Sequence, residues 1–155
     1  MQESLEDVLT QEVDCTQRLL ACLDAERTAL ARRDMDALEK TTGEKLQRTV
    51  ELERLDRQRE QLLEQHGFAT DAEGLRQCFM RLPRTDRLKA LWQQILENLQ
   101  ACRDGNLTNG GILEAGRQHV EQALSILRGQ SGAPALYKAG GDTAADLGQR
   151  DFGKV

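Results

Sequence analysis

The chain has 155 residues, a formal charge of −5, five aromatic residues and two prolines. A balance dominated by Leu, Ala, Glu, Gln and Arg is that of long helices rather than sheets, and the length is that of one domain. The acidic balance gives no electrostatic footprint for nucleic acid, no apolar run approaches the roughly 18 residues of a membrane span, and the acidic start is the opposite of a secretory signal peptide.

The first helix is expected from about Ser4 to about Arg33, with Leu5, Val8, Leu9, Cys15, Leu19, Leu20, Cys22, Leu23 and Leu30 as its apolar side. Glu3, Glu6, Asp7, Glu12 and Asp14, with no cation before Arg18, suit the positive end of its dipole. Asp34-Met35-Asp36 carries an N-cap signal, so the helix either breaks or only bends there, and a second segment runs from Met35 to about Gln65. It carries Leu38, Leu46, Val50, Leu52, Leu55, Leu62 and Leu63, and its outer face mixes charges at helical spacing. His66-Gly67 closes it, glycine being suited to the left-handed position after a helix.

Thr70-Asp71-Ala72-Glu73 reads as a capping box in which the Thr hydroxyl and the Glu carboxylate each hold an end amide. The short helix it opens carries Leu75, Cys78, Phe79 and Leu82, and Pro83 ends it. Arg81, Arg84, Arg87 and Lys89 flank that proline, either as a solvated turn or as a docking cluster. Thr85 or Asp86 then caps a last, long helix.

Along that helix Leu88, Trp92, Ile95, Leu99, Cys102, Asn106, Asn109, Leu113, Gly116, Val120, Ala123 and Leu127 recur at alternating steps of four and three. An average of about 3.5 residues is the repeat of a helix that buries one seam against others. About 40 residues at about 1.5 Å make a rod of roughly 60 Å. The seam turns polar and small in its middle, where Gly105, Gly110, Gly111 and Gly116 cluster. Each costs about 1 kcal/mol relative to Ala, so a rod that keeps its phase through them is expected to serve close approach, bending or a partner. Asn106 and Asn109 stand where Leu is usual. They form either a register-setting layer satisfied across helices or a groove that receives a partner helix. Gly110-Gly111 either breaks the rod or is carried through it, and the unbroken phase on both sides argues for the second.

At Gly129 the composition changes: six glycines in 27 residues leave an ordering entropy that Leu136, Tyr137, Leu147 and Phe152 do little to oppose. The expected organisation is a helical domain over 1–128 and a flexible tail over 129–155. Tyr137, the single tyrosine, has the form of a short docking motif, because a ring supplies contact area at low entropy cost.

Chemistry is sparse. Cys15, Cys22, Cys78 and Cys102 include no Cys-x-x-Cys pair, and they read as small buried hydrophobes of a reducing cytosol. His66 and His119 lack metal-ligand spacing, and neither has a Glu three residues before it, as a di-iron bundle requires. No phosphate loop follows a strand. The expectation is a protein without catalytic residues, metal or cofactor, acting by binding. A seam-type core without a thick interior leaves part of the stability to a partner or to a homodimer.

Three segments in this order carry a resemblance: Asn106-x-x-Asn109-Gly110 followed by Ile112-Leu113, then Ala123-Leu124-Ser125-Ile126-Leu127-x-Gly129, then Leu136-Tyr137-x-x-Gly140. The chain resembles the FlgN family of flagellar type III export chaperones. The likeness implies an all-α, antiparallel bundle of about three long helices plus a short one, with a glycine-rich C-terminal tail. It also implies a cytoplasmic chaperone that binds the C-terminal helical segments of the hook–filament junction proteins FlgK and FlgL, keeps them from assembling early and brings them to the export gate. In that reading Asn106, Asn109 and Gly110 are the family's Asn-Gly signature, and Tyr137 is the tail tyrosine that docks on the gate protein FlhA. Lys138 stands where the family often has an acidic residue. The strip of Leu113, Val120, Leu124 and Leu127 is the expected cargo face, in helix-in-groove fashion. The other reading is a coiled-coil scaffold or regulatory adaptor unrelated to export.

Overall fold

The structure, a computed structural model, describes residues 1–129. Four helices account for most of them: α1 (Gln2–Arg32), α2 (Met35–Gln65), α3 (Ala72–Arg81) and α4 (Asp86–Leu127). The expected tail, with Leu136 and Tyr137, lies outside the described residues apart from Gly129.

The helix ends follow from local chemistry. Arg33 takes a left-handed conformation (φ 53°) and closes α1, its amide donating to the Leu30 carbonyl at 3.2 Å while Asp34 N reaches Ala29 O at 3.0 Å. One residue on, the Asp34 carboxylate accepts from the Ala37 amide at 3.1 Å and opens α2. Two residues therefore reverse the chain. His66 and Gly67 (φ +77°) end α2 as expected. The start of α3 differs from the capping box. Asp71, not Thr70, is the N-cap and accepts from Gly74 N at 2.8 Å. Glu73 turns to Arg76 and Gln77 instead of back to the helix end. A carboxylate already placed one residue nearer the helix takes the free amide, and Thr70 has no helix end left to cap. Leu82 is extended (ψ 145°), as the residue before Pro83 must be. Thr85 then supplies the first carbonyl of α4, bonded by Lys89 N at 2.9 Å.

A compact unit spans Met1–Asn106, and a second unit begins at Leu107, within α4. In the first, Leu5, Leu9 and Val13 of α1, Leu63 of α2, Leu75, Cys78 and Phe79 of α3, and Leu88 and Ile95 of α4 form one buried cluster. Leu19, Leu23 and Cys102 form a smaller one further along α1. Glu12 meets Arg59 while Glu26 meets Lys45, so advancing along α1 means retreating along α2, and the two are antiparallel. Arg59 lies over Trp92 and Lys45 reaches Asn106, so α4 is antiparallel to α2 as well. This is the expected antiparallel bundle of three long helices with a short fourth.

Gly110-Gly111 does not interrupt α4, which is one helix from Asp86 to Leu127. Among the described residues these four glycines meet no tight approach. A Cβ on Gly105 would lie at an ordinary 3.6 Å from Leu23, and among the described residues none comes within 4 Å of one built on Gly110, Gly111 or Gly116. The tight glycine is Gly74, where a Cβ would fall 1.9 Å from the Ala69 carbonyl oxygen.

Candidate functional site

The seam of α4 changes character along its length. Leu88 and Ile95 are fully buried, Cys102 and Asn109 nearly so. From Leu113 onward large residues lie open: the seam's Leu113 is 54% exposed, Val120 57% and Leu127 83%, and Leu124, beside the seam's Ala123, 43%. At about 100° per residue these four side chains fall within about 60° of arc on one face. Ile126 and Leu107, also exposed, point elsewhere round the helix. One rim of the strip carries a clasp of charges. Arg117 binds Glu114 at 2.8 and 3.1 Å and also pairs with Glu121, while Gln118 donates to Glu114 at 3.2 Å. The hydrogen bonds from Arg117 hold the Glu114 carboxyl below its ordinary range. Such pairs at three- and four-residue spacing support a helix face that packing does not.

Polar layers bracket the closed part of the seam. In the first, Glu12 (1% exposed) pairs with Arg59, whose guanidinium also pairs with Asp56 and lies 4.9 Å from the Trp92 ring centre. Burial pushes the Glu12 carboxyl up, against the pull of Arg59, and Glu12 Oε2 has no hydrogen-bond partner. Next, Asn98 Nδ2 donates to Thr16 Oγ1 at 3.0 Å, and the Thr16 hydroxyl donates to backbone carbonyls of its own helix. Last, Lys45 Nζ donates to Glu26 at 2.8 Å and to Asn106 Oδ1 at 3.4 Å, which ties α1, α2 and α4 in one layer. Of the two readings of Asn106, the structure thus supports the layer satisfied across helices. Asn109, one turn on, is buried at 1% exposure. Gly110 is exposed with open space around it.

Asn106 is the last residue of the first unit, and Asn109 and Gly110 belong to the second. Tyr137 lies outside the described residues. The sequence reading missed the Glu12–Arg59 pair: an acidic residue at a seam position of α1, seven residues after Leu5, was the available signal. The four cysteines are buried and unbridged, as expected, and burial pushes the Cys15 thiol up to about 11 and that of Cys102 to about 12. Among the described residues no group of three or more His, Cys, Asp or Glu is placed to hold a metal ion, and no helix is long and apolar enough to cross a membrane. His119 is exposed on α4 and His66 lies at the end of α2, its Nδ1 2.8 Å from the Leu62 carbonyl oxygen.

Comparison with known proteins places this arrangement. The sequence model of the FlgN family, described as "FlgN protein", matches residues 1–145. "Flagella synthesis protein FlgN" of Salmonella typhimurium and its counterpart of the same name in Salmonella typhi are each 30% identical over 142 residues, which is 90% of this chain and 90% of each relative. Among solved structures, a flagella synthesis protein FlgN from Pseudomonas aeruginosa is similar at 30% identity and a TM-score of 0.64, over 78% of this chain and 93% of that one. A match along nearly the whole chain, on a bundle of the same helical design, makes this protein a member of the FlgN family, whose named relatives are flagella synthesis proteins.

Proposed function

We propose that the protein is a cytoplasmic chaperone of flagellar type III export. It captures the C-terminal helical segments of the hook–filament junction proteins FlgK and FlgL on the strip of Leu113, Val120, Leu124 and Leu127. One observation carries the reading: in a member of the FlgN family, the seam of the longest helix stays in phase while its Leu113, Val120 and Leu127, and Leu124 beside them, lie exposed. An amphipathic helix laid along that strip would satisfy both partners without covalent chemistry or a nucleotide. Subunits that assemble outside the cell expose such stripes inside it, and covering them prevents early association. Residues 1–128 form the helical chaperone domain in this reading and 129–155 a docking tail, with Tyr137 contacting the gate protein FlhA.

The test is direct titration of the purified chain with the C-terminal segments of FlgK and FlgL and, separately, with the cytosolic part of FlhA. Stoichiometric saturable binding of a junction segment is expected. Absence of binding, together with a stable dimer that hides the strip, would favour the scaffold reading instead.

A further inference from the structure

The Glu26–Lys45–Asn106 layer does more than satisfy three polar groups. A repeat of about 3.5 residues is degenerate, because moving α4 by seven residues presents another residue of the same seam column at every position. Leu113, 54% exposed, is the residue such a shift brings to the place of Asn106. There it would face Lys45, whose amine lies 3.4 Å from Asn106 Oδ1 and 2.8 Å from Glu26, itself 5% exposed. An aliphatic side chain offers that amine no acceptor, whereas Asn106 does. Polar residues in an apolar seam are the device by which helices select one register among several, and of the two here, Asn106 and the buried Asn109, Asn106 is the one that meets Lys45.

We infer that Asn106 is the positioning residue for α4: through Lys45 and Glu26 it fixes the helix's register against the α1–α2 hairpin. Asn106 touches no partner in this role. Its part is to hold α4 in place along α1 and α2. The inference concerns the chain alone and stands whether or not the strip binds a junction protein.

Trp92 is the single tryptophan and lies against Arg59 in this register, so its emission reports the position of α4. In Asn106→Leu the two registers lose their distinction at this layer. A second Trp92 population with red-shifted emission and increased acrylamide quenching is expected at retained helicity. Asn106→Gln, which keeps an amide for Lys45, should restore the parent spectrum. The double variant N106L/L113N moves the acceptor by one heptad and should shift most of the Trp92 signal. Folded variants whose Trp92 emission and quenching equal those of the parent would overturn the inference. Loss of helicity in both leucine-bearing variants would overturn it equally, because a layer that only sets register is dispensable for folding.

Discussion

Leu124→Asp is the sharpest test of the strip. Leu124 keeps 43% of its surface exposed, less than its neighbours Leu113, Val120 and Leu127, so it sits deepest in the face. Fully burying a leucine is worth about 2 kcal/mol, so what a partner can still gain at this position is about 1 kcal/mol. The substitution loses that gain and also places a carboxylate against the partner's apolar side chains. Desolvating it without a cation adds a penalty on the order of 2 kcal/mol or more. The expected total of about 3 kcal/mol weakens binding roughly 100-fold. Ile126→Asp is the matched control. Ile126 is 74% exposed, yet it is turned about 160° from Leu124 at about 100° per residue, so the same charge there should change binding little. Both variants carry a similar helix-propensity cost of about half a kcal/mol, and the difference between them isolates the contact. Calorimetric titration with the FlgK C-terminal segment, with helicity checked by circular dichroism, reads the result. Binding of Leu124→Asp within about threefold of the parent, or an equal loss in Ile126→Asp, would refute the assignment of the face.

Further expectations concern the tail, the core and the thiols. Tyr137→Ala should leave junction-protein affinity unchanged and weaken only binding to FlhA, and equal loss of both would contradict the division of labour between strip and tail. Because burial raises the Glu12 carboxyl, the folded chain holds that proton to higher pH than the unfolded chain does. Its contribution to stability is therefore complete below the ordinary value of 4.5 and is lost as pH rises through the raised value. Glu12→Gln removes this dependence, so urea titrations should show the variant gaining on the parent as pH rises above 4.5, and a constant difference would refute the linkage. Gly74→Ala should destabilise by about 3 kcal/mol, because its Cβ would fall 1.9 Å from the Ala69 carbonyl oxygen; a loss below about 0.5 kcal/mol in chemical denaturation would contradict that geometry. With Cys15 raised to about 11 and Cys102 to about 12 by burial, a thiol reagent at neutral pH should react fully only after denaturation, and prompt stoichiometric labelling of the native chain would contradict the packing.

Much of this protein is local, and what is local is legible in the sequence. The bounds of α2 follow from Asp34, which caps its start, and from Gly67, which ends it; the stop of α3 follows from Pro83. Each acts within a few residues of itself. The seam repeat of α4 is legible for the same reason, since a periodicity needs no partner to exist. The cap of α3 is not legible in this way, because Thr70 and Asp71 are both competent and only the path of the chain decides which faces the free amide of Gly74. Composition and repeat thus determined an all-helical chain with one long apolar seam. The tertiary structure decided how much of that seam is closed. A repeat written in α4 says nothing of where its neighbours stop covering it. The layer beside Asn106 shows the same dependence: Lys45, 61 residues away, reaches Asn106 and Glu26 only once the helices have packed. Burial is a property of pairs of surfaces, and one strand of sequence carries half of each pair.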